Sequence, residues 1–208
     1  MTHQERLTMP IGDAMFTQRA IRKLRPDPIP DADIRTMIEA AVKAPNGGNM
    51  QPARFLVLTD RETIRRFGEL YHEAWWAKRR DQFGWRGPED IPPEEKTYRS
   101  AMGLANEIGQ APLIVLACAG KGTPGNSVFT LVQNLMLAGR ALGIGSTLTT
   151  LHAKVDARVH ALLEIPETVQ IMACIPMGYP RGRFGPNTRL PTAETTFFER
   201  WGQAPPWA

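Results

Sequence analysis

The sequence of 208 residues has two cysteines and four histidines, and each scarcity removes a class of chemistry. Cys118 and Cys174 both sit in apolar, strand-like runs, where a thiol behaves as a small buried hydrophobe. Neither a disulfide nor a cysteine nucleophile is therefore expected. His3, His72, His152 and His160 have no metal-ligand spacing, and with the cysteines in strands no metal site is expected. The longest apolar run, Ala111 to Ala119, falls far short of the roughly 20 residues that cross a bilayer. The segment from Met1 to Phe16 lacks a basic region followed by an apolar core, so no signal peptide is read and a cytoplasmic protein is expected. Missing too are the G-x-S-x-G elbow, the complete G-x-x-x-x-G-K-[ST] phosphate loop and the G-x-G-x-x-G nicotinamide fingerprint. Gly120-Lys121-Gly122 mimics part of a phosphate loop at the wrong spacing and reads as a turn. Hydrolysis by a protein nucleophile or a protein-bound metal has no support. Chemistry borrowed from a cofactor remains.

What is present suits one globular domain spanning 1–208, long enough to bury its own core. The formal charge of +4 is modest. It is spread over Arg19, Arg22, Lys23 and Arg25, then Lys78 to Arg80, then Arg181, Arg183 and Arg189. If these clusters converge they can hold a phosphate; if they scatter they are a solvated surface. No aromatic-basic interleaving or reader motif points to nucleic acid.

The prolines at 26, 28 and 30 stiffen a lead-in, and Asp31 is expected to N-cap a helix whose stripe Ile34, Met37, Ile38, Ala41 and Val42 faces the core, with a stop at Pro45. Arg54 to Thr59 reads as a buried strand, after which Asp60 caps another helix. From about Trp75 to Tyr98 the pattern loosens, giving an aromatic excursion over about 72–98. A helix up to Gln110 and a central strand at Leu113 to Ala119, apolar on both faces, follow. The helix from Asn126 to Leu142 is apolar nearly all round, which makes a subunit interface a natural place for part of it. A strand at Ser146 to Leu151, a helix around Val155 to Leu163 and a strand at Val169 to Pro176 complete an α+β layer pattern. From about 178 a tail rich in glycine and proline runs to Phe197, Phe198, Trp201 and Trp207, apolar residues that need a surface such as a partner subunit.

Several segments, in order, resemble the nitroreductase family: Arg19-Ala20-Ile21-Arg22, the proline-rich lead-in, Ala44-Pro45-Asn46-Gly47-Gly48-Asn49-Met50-Gln51-Pro52, Gln133-Asn134-Leu135, Ala141 to Gly145, Ile165-Pro166-Glu167 and Gly178-Tyr179-Pro180. The resemblance covers nearly the whole chain. It implies a three-layer fold, a central mixed and mostly antiparallel sheet flanked by helices, in an intertwined homodimer with FMN at the subunit interface. It implies FMN as cofactor and NADH or NADPH as electron donor. Nitroaromatics, quinones or related small molecules would be acceptors, reduced by ping-pong hydride transfer. Relatives with dehalogenation, dehydrogenation or flavin breakdown keep a second set of reactions open, and a non-catalytic flavin-binding protein is a third reading.

By resemblance, Arg19 and Arg189 meet the FMN phosphate and Arg22 lies near the ribityl chain or ring edge, with Ala20 beside them. Arginine suits the phosphate because its planar fork donates in pairs. Read alone, Arg19 and Arg22 are equally a solvated helix end. Pro45, Asn46, Gly47, Asn49 and Gln51 would reach the FMN of the other subunit, although by themselves they are a helix stop and a turn. Leu148, Thr149, Thr150 and Leu151 match the stretch whose backbone N–H bonds the flavin's reactive nitrogen, with the backbone of Thr150 a candidate; no side chain is assigned as catalytic. Trp75, Trp76 and Phe83 are candidates for a substrate pocket, with core or interface packing as the alternative. Many relatives carry serine at the positions of Ala20 and Asn46 and an aromatic at that of Ala53.

Overall fold

A computed structural model describes residues 2–207. Four strands, β1 (Arg54–Leu58), β2 (Leu113–Gly120), β3 (Gly145–Ser146) and β4 (Val169–Gly178), form an antiparallel sheet in the order β1-β2-β4-β3. One parallel bridge, Ala20 to Ser146, adds the amino-terminal segment at the β3 edge. The helices are α1 (His3–Arg6), α2 (Ile11–Thr17), α3 (Asp31–Ala41), α4 (Arg61–Phe83), α5 (Lys96–Glu107), α6 (Asn126–Ala141), α7 (Ala153–Leu163) and α8 (Thr192–Thr195).

The period of two along β2 sorts these helices into layers. Ile114, Leu116 and Cys118 face a core shared with α4, α5 and α7, while Leu113, Val115, Ala117 and Ala119 face one shared with α3 and α6. β4 repeats the division, with Cys174 on the first side and Ala173, Ile175 and Met177 on the second. A strand buried on both faces has no polar side, which is why β2 reads as one apolar run. Both cysteines are free and buried, and burial pushes the Cys118 thiol up to about 11 and Cys174 higher still.

Three elements differ from the sequence reading. Asp31 is the first helical residue of α3 and Pro30 is the cap, without a side-chain capping bond. There Asp31 still favours the positive end of the helix dipole, which also tolerates a carboxylate inside the first turn. The helix then ends at Ala41, before the turn that leads to Pro45.

The second difference is α4. It is capped by Asp60, whose side chain accepts from the Thr63 N–H at 2.8 Å, and it runs unbroken to Phe83, where Gly84 at φ 76° ends it. Ile64, Phe67, Gly68, Tyr71, Ala74 and Trp75 keep a buried stripe at spacings of three and four, and Arg79 continues it. That charged residue in the stripe hides the periodicity.

The third is the expected strand from Ser146 to Leu151. Only Gly145 and Ser146 pair with β4 as a ladder, and contact resumes at a single bridge, Thr149 to Cys174. The interruption falls opposite Pro176, which accepts weakly from the Thr147 N–H at 3.4 Å and has no N–H to return. The following stretch stays extended beside the sheet without belonging to it.

Candidate functional site

This frayed edge is where the chemistry-bearing residues collect. Thr147 and Thr149 turn their amides toward β4, Thr149 donating to the Cys174 C=O at 2.9 Å. Backbone groups alternate along an extended chain, so Leu148 and Thr150 turn theirs the other way. Among the described residues the Thr150 amide has no acceptor. The Ser146 C=O, facing the same way, accepts from the Ile21 N–H at 2.9 Å, which lays the segment from Arg19 to Arg22 along this edge. The approach is close: a β-carbon on Gly145 would stand 2.8 Å from Ile21 Cβ.

Between this edge and the helices α4 and α5 lies a cavity of about 190 Å³. Arg22, Tyr71, Trp75, Lys78, Arg79, Tyr98 and Thr147 to Thr150 line it. Arg22 is half-buried, and its pKa is lowered, first by that burial and further by neighbouring Arg19, against an opposing effect of Tyr71. Arginine starts so high that it stays charged. The Tyr71 hydroxyl shares a 2.7 Å hydrogen bond with Thr149 Oγ1. Burial pushes the tyrosine pKa up to about 12 despite that bond, so the group is a neutral hydroxyl at physiological pH.

Arg22, Leu148, Thr149 and Thr150 thus line one cavity, with Trp75 on its helical wall. Leu151 is half-buried beyond it. Trp76 packs edge-on against Trp75, centroids 4.7 Å apart, and donates from Nε1 to His72 Nε2 at 3.2 Å, so it supports the wall without lining it. Phe83 stacks on Trp85 and meets Tyr98 edge-on. Tyr71, Lys78, Arg79 and Tyr98 were not singled out as site residues by sequence. Tyr71 and Arg79, eight residues apart on the α4 stripe, are visible only once that helix is seen to be continuous.

Arg19 and Ala20 are exposed, and the Arg19 guanidinium lies beside Gly185 of the tail. Arg189, further along the tail, is exposed and donates to the Thr188 C=O at 2.8 Å. The tail is tied to α2 where Asn187 bonds Phe16 and Met15 carbonyls. The loop at 44–52 sits elsewhere, on the start of α6. Thr130 Oγ1 donates to the Pro45 C=O at 2.8 Å, and the Gly47 N–H donates to Ser127 Oγ at 3.0 Å. Asn46 Oδ1 accepts from the Gln51 N–H at 2.8 Å, a side-chain clasp across a loop in which Asn49 and Gln51 hold positive φ. None of these loop residues lines the cavity within the chain. Gly120 to Thr123 is a turn, closed by the Thr123 N–H on the Gly120 C=O at 3.1 Å. Among the described residues no group of three or more His, Cys, Asp or Glu gathers as a metal site. No helix among them is long and apolar enough to cross a membrane.

A sequence profile described as the Nitroreductase family matches residues 16–179, which spans the arginine segment, the sheet and the cavity. The chain belongs to the nitroreductase family. This nitroreductase-family chain is 29% identical over 207 residues to a protein named NADH dehydrogenase from Thermus thermophilus, covering 88% of the chain and 95% of that relative. Its fold matches an iodotyrosine deiodinase solved with FMN and 3-iodo-L-tyrosine, at TM-score 0.72 and 22% identity, over 93% of the chain and all of that structure. It also matches an FMN-dependent nitroreductase from Mycobacterium smegmatis in complex with NADPH, at TM-score 0.70 and 24% identity, over 91% and 97% of the two chains. At these identities the structural matches speak for the fold.

Proposed function

We propose that the protein is an FMN-dependent oxidoreductase that uses NADH or NADPH to reduce nitroaromatic, quinone or related acceptors by ping-pong hydride transfer. The observation that carries this reading is one cavity holding a half-buried arginine, Arg22, and an extended edge whose Thr150 amide is unpaired. FMN needs a fixed positive charge beside a ring that becomes anionic on reduction, and a donor at the ring's reactive nitrogen. Both are present in the donor set. Bound FMN would supply the hydride-accepting and hydride-donating ring. Arg22 would stabilise negative charge at the ring edge, and the Thr150 N–H would orient the ring. Arg19 and Arg189, exposed on neighbouring segments, would hold the phosphate. Trp75 would cover the acceptor, while Tyr71, neutral below about pH 12, would fix Thr149 rather than move a proton.

The loop at 44–52 belongs, in this reading, to the FMN site of a second subunit, which makes the protein a homodimer of single FMN-binding domains. Support comes from the apolar side chains the chain leaves open: Phe16 is 75% exposed and Trp201 91%, and Ile11, Met15, Met50 and Leu190 are exposed as well. The similarity to iodotyrosine deiodinase favours one alternative, reductive dehalogenation on the same cofactor. Turnover separates the two. Rapid NAD(P)H oxidation with a nitroaromatic or quinone, and none with 3-iodotyrosine, supports the proposal; the opposite pattern moves the reaction to the alternative.

A further inference from the structure

We propose that the cavity selects an aromatic acceptor carrying a carboxylate and that Arg79 receives that carboxylate. The inference deepens the acceptor role assigned to the cavity above, though recognition of the anion depends only on side chains. Arg79 is 8% exposed, yet it lines the cavity. Its buried Nε has no hydrogen-bond partner, and among the described residues its guanidinium forms no ion pair. Arg6, Arg65, Arg158 and Arg181, all more open to water, each have a carboxylate. A buried cation without a counterion is costly, so such a group either has a structural compensation or awaits an anion.

The compensation here is partial. The guanidinium carbon lies 5.0 Å from the Tyr98 ring centre, 5.3 Å from Trp75 and 5.8 Å from Phe83. Aromatic faces attract a cation but leave its N–H donors unsatisfied. They also hold the fork rigid, ready for a planar carboxylate. Lys78 and Arg22 add two more cations to the lining, and no Asp or Glu lines the cavity. A single substituted ring between Trp75 and Tyr98 would bring a carboxylate that it carries within reach of Arg79, on the same lining. The anion is therefore placed on the acceptor.

Titration calorimetry with 4-nitrobenzoate and with neutral nitrobenzene tests this, the FMN content of each sample being read separately from its visible spectrum. The wild-type protein is expected to prefer the carboxylate by about tenfold or more, the scale of one charge-assisted pair. In Arg79→Met, which fills the aromatic cage without charge, the ratio should fall below about threefold, and Arg79→Lys, which keeps the charge but loses the planar fork, should fall between that value and the wild type. Arg79→Gln serves as a second uncharged variant should the methionine form fail to fold. Equal wild-type affinities, or an undiminished ratio in a folded uncharged variant, would overturn the inference. A sample that holds no FMN and takes up none when it is added refutes the flavin reading instead, while the affinity ratio measured on it still decides the role of Arg79.

Discussion

Arg22 and Tyr71 show how single residues acquire their roles from the backbone around them. Arg22 lies on a segment pinned by the Ile21 N–H to Ser146, so its half-burial is a property of the β3 edge. Arg22→Gln should raise the Kd for FMN about tenfold or more, the scale of a charge-assisted hydrogen bond, in a fluorescence titration of apo-protein. Tyr71→Phe removes the 2.7 Å bond to Thr149 and should cost about 1 kcal/mol in denaturant unfolding. Tyr71 also has a pH signature. Its folded pKa is raised above the ordinary value near 10, so the neutral form's contribution to stability is intact below about pH 10 and is lost as pH rises through about 12. Ultraviolet titration should find one of the three tyrosines ionising late. Arg22 is readable from sequence because the family motif carries it, whereas Tyr71 has no local signature and needs the tertiary contact with Thr149.

At the scale of elements, α4 and the β3 edge decide the site. α4 delivers Tyr71, Trp75, Lys78 and Arg79 to one wall, which requires that it continue past Trp75. Its first half was plain in the sequence from Asp60 onward. Its second half was not, because Trp76 and the basic run from Lys78 to Arg80 break the apolar stripe into single residues. The strand expected at Ser146 to Leu151 failed for the opposite reason: its own residues suit a strand, and the obstacle is Pro176 on another element.

Two outcomes belong to α4. Gly68 packs so tightly that an added β-carbon would stand 2.5 Å from Gly109 Cα, backbone against backbone. Gly68→Ala should therefore destabilise by about 1–3 kcal/mol or more in urea unfolding, although alanine is the better helix former. Asp60 has its pKa lowered, chiefly by the Thr63 backbone N–H. Its capping contribution is present above the unfolded carboxylate value near 4 and is lost as pH falls through the lower folded value. The Tm deficit of Asp60→Ala at pH 7 should accordingly shrink in strong acid.

The whole molecule was legible as layers, since an apolar β2, an amphipathic α3 and an α6 apolar over most of its circumference can satisfy one another only in a sandwich of helices around the sheet. What a single chain does not join is the loop at 44–52 and the cavity at Arg22, which are related only through the family resemblance and through the apolar surface left for a partner. The proposed dimer with shared cofactor sites would reconcile the two. Sedimentation of the FMN-loaded protein should give twice the chain mass of 23.2 kDa, and a loaded monomer would refute shared sites. The most direct test of the flavin account is the visible absorbance of the purified protein before and after anaerobic addition of NADH or NADPH. The account predicts a yellow protein whose flavin band bleaches with the nucleotide and returns with an acceptor. A colourless protein that also fails to take up added FMN would contradict it.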